Sequence, residues 1–219
     1  ALPGSLKVHT HISTAFVPIT APSSSTVLQL SLLDNNGAPH WLEHPLFGCD
    51  VDVIAIAVDS QIPDCRKIFR IDLAAELVRD TQLSVMDQTF VTGYPLSATT
   101  TPNSLPIYKS GTIASEPRVF DSQPRIYIDG KTKTGMSGSP VMVKRRNPYD
   151  RLNNTKSSEE TLNFVGIYSG RDRQERSEFE AELGIVWPYR EYLLPIIEAY
   201  LHPESATSDH YPQRSHGSG

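Results

Sequence analysis

The chain has 219 residues, room for one large domain or two small packed subdomains. Apolar residues make up 38%, enough for a core, yet no run of them is long enough to cross a membrane as a helix. The net charge of −5 argues against nucleic acid as the main partner, and two cysteines are too few for a disulfide scaffold or a cysteine-built metal site.

The chain opens on Ala1, with no charged segment followed by an apolar one. No signal peptide is therefore expected, and a cytoplasmic location with reduced thiols is favoured. Short β-rich runs follow at 27–33, 51–58, 88–92, 106–114, 125–128, 140–143, 163–168 and 183–187, with Pro and Gly between them. Many short strands separated by turn residues predict an all-β sandwich or barrel, not βαβ units. Two helices are expected, a short one at 73–79 and a longer one at 189–201, where Pro195 either bends the helix or delays its start. The polar stretch 144–161 reads as a long surface loop, and 202–219 as a disordered tail.

The stretch Gly135-Met136-Ser137-Gly138-Ser139-Pro140 leads into one of the apolar runs. An ordinary turn explains a lone Gly-x-Ser-Gly. A nucleophilic serine would use the same residues differently. It needs an exposed hydroxyl at a tight turn, backbone N–H groups aimed at a developing oxyanion, and a base. The α/β-hydrolase elbow, Gly-x-Ser-x-Gly, fits poorly, because Ser139 stands where the second glycine belongs and a β run follows.

Gly-x-Ser-Gly-Ser-Pro-Val instead resembles the nucleophile loop of the trypsin-like (chymotrypsin-fold) serine peptidase family, in its bacterial and intracellular branches. Asp52-Val53-Ile54-Ala55-Ile56 resembles the family's triad aspartate opening an apolar strand, with Asp50 as a competing choice. Asp52 precedes Ser137 by roughly 85 residues, near the roughly ninety of the His-Asp-Ser order. Phe164 to Gly170 (FVGIYSG) resembles the strand after the nucleophile, which implies substrate-binding roles for Ser169 and Gly170. Phe90 to Pro95 (FVTGYP) looks like a strand end of bacterial members, and Leu183 to Trp187 with the following helix resembles the family's closing elements.

The resemblance covers about residues 25–201. It implies two six-stranded β-barrels, the N-terminal one incomplete, with a C-terminal helix: an N-terminal half at about 1–95 and a C-terminal half at about 96–201. It implies peptide-bond hydrolysis through an acyl-enzyme on Ser137, with an oxyanion hole from the N–H groups of Gly135 and Ser137 and a histidine oriented by Asp52. No cofactor or metal is called for, and the partner is a protein or peptide. The base stays open among His9, His11 and a histidine upstream of Ala1. His40 and His44 lie too close to Asp52 and read as loop residues. Met136 stands where secreted members carry an aspartate that pairs with a new N-terminus, so that mode of activation is not expected. Lys131, six residues before Ser137, either faces solvent or draws an acidic substrate side chain. Without a base, the same fold would bind an extended peptide along 165–170 instead of cutting it.

Overall fold

The computed structural model describes residues 31–57, 71, 73, 83–95, 106–117, 124–145, 149–150, 155–156, 160–171 and 183–203. His9, His11, Cys65, the tail after 203 and all but Leu73 of the expected helix at 73–79 lie outside them.

The first described part, 31–57, is built from very short pieces. β1 (Trp41–Leu42) pairs antiparallel with β2 (Ala55–Ile56), and two isolated bridges join Leu33 to Pro39 and His44 to Gly48. The run at 51–58 is expected as one strand, but among its described residues only Ala55–Ile56 is laddered. Upstream of it Val51 and Val53 are buried while Asp52 and Ile54 face out.

Six strands then close into an antiparallel barrel: β3 (Gln88–Gly93), β4 (Ile107–Ile113), β5 (Ile126–Asp129), β6 (Pro140–Arg145), β9 (Thr161–Arg171) and β10 (Leu183–Pro188). Between β6 and β9 lies a small hairpin, β7 (Tyr149–Asp150) with β8 (Thr155–Lys156), inside the expected surface loop. The order around the barrel is β10-β5-β4-β3-β6-β9. β3, β4 and β5 form a meander, β6 crosses back to the free side of β3, and β10 closes the ring on β5. The mostly β architecture, with a short C-terminal helix, agrees with the sequence. The described residues form one such barrel and not a second. Its first strand, β3, comes from the segment assigned above to the N-terminal half.

The barrel interior is the main core. Val91, Ile113, Ile126, Ile128, Val141, Val143, Val165 and Val186 fill it, and Met136 and Tyr168 join them from the loop and the end of β9. A second apolar layer lies outside the wall, where Val51 and Val53 meet Trp187, Tyr192 and Ile196. Along β10 the alternation sends Val186 into the barrel and Trp187 outward, so one strand serves both layers.

After Pro188 the chain makes one π-helical turn, Tyr189–Leu193, and then α1 (Leu194–Leu201). Pro195 delays the α-helix instead of bending it. It occupies the first turn, where a missing N–H costs no intrahelical bond. Tyr192 from the π-helical turn packs edge-on to Trp187 at 4.7 Å between ring centroids.

Candidate active site: a serine loop carried by the end of one strand

The loop between β5 and β6 is shaped by two backbone turns. Met136 N–H donates to Lys133 C=O at 3.2 Å, and Ser139 N–H donates to Met136 C=O at 3.1 Å. Gly135 and Gly138 sit at φ +94° and +83°, where a side chain would be strained, which explains both glycines around the serine. Met136 is fully buried and anchors the loop in the barrel core. Ser137, beside it, stays half-buried at the surface.

The loop is tied to β9 on one side. Gly138 N–H donates to Tyr168 C=O at 2.6 Å, and Tyr168 N–H donates to Ser139 C=O at 2.9 Å. The Ser137 hydroxyl donates to Ser169 C=O at 3.2 Å. That carbonyl is available because Ser169 is the extra residue of a β-bulge: Ile185 pairs with Gly170 and Val186 with Tyr168, so Ser169 has no partner in β10. Gly170 lies next along the strand, and a Cβ placed on it would sit 3.7 Å from Ser137 Oγ. Of the residues selected from the sequence, the structure thus gathers Gly135, Ser137, Ser169 and Gly170 into one site.

The N–H groups of Gly135 and Ser137 donate to no backbone carbonyl among the described residues, whereas those of Met136, Gly138 and Ser139 do. Two N–H groups without a backbone acceptor thus lie within two residues of a half-buried hydroxyl, the kind of donor that an oxyanion hole requires.

Asp52 is not in this cluster. It is exposed, on the face of its segment opposite Val51 and Val53, and no hydrogen bond joins it to Ser137 among the described residues. Asp50 is exposed as well, and so is Lys131. His40 and His202 are exposed.

His44 lies outside the strands, as its reading as a loop residue expects, and is only 3% exposed. Its Nδ1 accepts from the N–H groups of Leu46 and Phe47 at 3.2 and 3.3 Å, which fixes Nε2 as the protonated nitrogen that donates to Glu191 C=O at 3.1 Å. Both nitrogens are committed, so His44 does not serve Ser137. Burial pushes its pKa below the ordinary value of 6.5, against the opposing pull of the Glu191 carbonyl.

Three residues at this site were not anticipated. Thr132 and Tyr168 are each 2% exposed, and a hydrogen bond joins Thr132 Oγ1 to the Tyr168 hydroxyl. Arg171 donates from Nη2 to Thr132 C=O. Burial pushes the Tyr168 phenol up, with the Thr132 hydrogen bond and the Arg171 charge pulling it back, so it is neutral at physiological pH. A strict two-residue alternation does not reveal Tyr168, because a second bulge, at Val165, resets the strand's parity.

Among the described residues no group of three or more His, Cys, Asp or Glu is placed to hold a metal ion, and no helix is long and apolar enough to cross a membrane. No protein-family model and no curated protein matches the chain.

Proposed function

We propose that this chain is a serine endopeptidase of the chymotrypsin type, with Ser137 as nucleophile. The observation that carries the reading is the half-buried Ser137 hydroxyl beside the available N–H groups of Gly135 and Ser137. The closed barrel supports it as the C-terminal half of such a fold. The second barrel is part of the proposal and would draw on the N-terminal half of the chain. In the reaction, Ser137 Oγ bonds to the peptide carbonyl carbon as a histidine takes its proton. The two N–H groups hold the oxyanion. The C–N bond then breaks as the histidine protonates the leaving amine, and water hydrolyses the acyl-enzyme. The histidine is His9, His11 or one upstream of Ala1, and Asp52 orients it. This role asks Asp52 to become covered, by that histidine or by the chain that carries it.

A serine-directed fluorophosphonate probe tests the reading on protein with its natural N-terminus. Labelling at Ser137, lost in Ser137→Ala, is expected. Labelling that persists in Ser137→Ala overturns it.

A second reading is favoured by the exposure of Asp52 and by the absence of a histidine bonded to Ser137 among the described residues. In it the barrel binds a peptide without cutting it. Among the described residues β6 flanks β9 only as far as Ile167, so in this reading the added strand lies beside Ser169–Arg171 and not along the whole of 165–170. Peptide binding without turnover by the same protein would select this reading.

A further inference from the structure

Thr132, Tyr168 and Arg171 have no place in the chemistry above. Yet three residues within one stretch of β9, Tyr168, Ser169 and Arg171, supply the β9 bonds that hold the serine loop among the described residues. The Tyr168 main chain engages Gly138 and Ser139, its hydroxyl engages Thr132, Ser169 C=O accepts from Ser137, and Arg171 holds the Thr132 carbonyl. Thr132 opens the loop and Ser139 closes it, so the loop is gripped at both ends and at its serine. Among the described residues the loop has other links: Met136 packs in the core, the buried Ser139 side chain lies against Gly93 of β3, and Thr132 N–H donates to Gly130 C=O at 2.9 Å.

We infer that the Thr132–Tyr168–Arg171 network is a positioning device that sets the conformation of the Gly135–Ser139 loop and, with it, the aim of the Ser137 hydroxyl. None of the three touches the reacting atoms. Tyr168 is suited to the work because its ring is locked in the barrel core while its tip reaches the loop. A rigid two-torsion side chain transmits the position of the barrel wall with little slack. Arg171 adds a charge-assisted bond to a carbonyl, stronger than a neutral donor would make. Gly138 N–H, bonded to the Tyr168 carbonyl, reports whether the loop stays seated.

The consequence for Ser137 rests on its being the nucleophile. The inference about the loop does not, and two readouts on the full chain keep them apart. Tyr168→Phe, Thr132→Val and Arg171→Gln remove one link each, and Thr132→Ser keeps the hydroxyl. Ile113→Val, elsewhere in the same core, controls for general destabilisation. The first readout is hydrogen exchange at the Gly138 amide. About tenfold faster exchange is expected in the three link variants. Exchange at the rate of the wild type is expected in Thr132→Ser and Ile113→Val. The second is the rate of fluorophosphonate labelling, expected to fall about tenfold in the same three and not in the other two. If Gly138 exchanges in the link variants no faster than in Ile113→Val, the positioning role is overturned. If exchange responds as expected but wild-type Ser137 does not label, the device stands and the nucleophile reading falls.

Discussion

His44 and Met136 show how much one buried side chain decides. His44 fastens the 31–57 segment to the π-helical turn through Glu191 C=O, and its depressed pKa makes that fastening acid-sensitive. In the unfolded chain the imidazole protonates near pH 6.5, whereas the folded one holds out to lower pH. The native state therefore binds fewer protons in that window. His44's contribution is complete above pH 6.5 and falls as the pH drops below it, until the folded imidazole protonates too. Glu191 works the other way. Burial raises its carboxyl, so its cost when ionised is relieved as pH falls through that raised value. Denaturant titrations at several pH values should show His44→Asn less stable by roughly 1–3 kcal/mol at pH 7.5 and less sensitive to acidification below 6.5. An unchanged pH dependence would remove His44 as the acid-sensitive group. None of this was legible in the stretch PHWLEHP, because the His44 acceptor lies 147 residues away.

Met136 was legible only as a missing ion-pair partner. Its position inside the barrel core adds a physical reason, since an aspartate there would bury a charge among valines and isoleucines. Thermal melts should show Met136→Leu within about 1.5 kcal/mol of the wild type, Met136→Ala down by roughly 2–5 kcal/mol, and Met136→Asp unfolded. A well-folded Met136→Asp would contradict the placement.

At the scale of elements, the strands were the most readable feature. β5 shows why: Ile126 and Ile128 point in while Asp129 points out, a pattern that local composition alone conveys. β9 shows the limit. Its two bulges arise from pairing with β6 and β10, and no local pattern announces them. They nonetheless place Tyr168 in the core and turn the Ser169 carbonyl to Ser137. The seat of β9 on β10 also depends on Gly166, where an added Cβ would collide with the Trp187 carbonyl oxygen. That atom is backbone and cannot move aside. Gly166→Ala should therefore cost at least roughly 2 kcal/mol in chemical denaturation. Gly37→Ala, at φ +81° with nothing within 4 Å, should cost only about 1 kcal/mol of backbone strain. Equal costs would show that strand separation is not what Gly166 prevents.

For the whole molecule, the two cores predict two levels of cooperativity. The 31–57 segment buries Val51 and Val53 against the outer face of the wall and contributes no strand to the barrel. Val53→Asp should loosen that segment and leave the ring closed. Amide exchange over 41–56 should accelerate about tenfold or more, with Val143 and Val165 staying protected within about threefold. Simultaneous loss of protection in both would mean that the segment and barrel fold as one unit. A sandwich or barrel was foreseeable from strand count and spacing. The outer layer was not, because it joins residues near 50 to residues beyond 185.

Ring closure also has a consequence for how the protein is made. β5 is flanked by β4 and β10, and β9 by β6 and β10, so a single strand completes both. A nascent chain that has emerged only as far as β9 exposes two bare strand flanks, each a template for pairing with another polypeptide. The emergence of β10, Leu183–Pro188, seals both at once. Until then both flanks stay unpaired, and slow synthesis just before β10 would prolong that exposure.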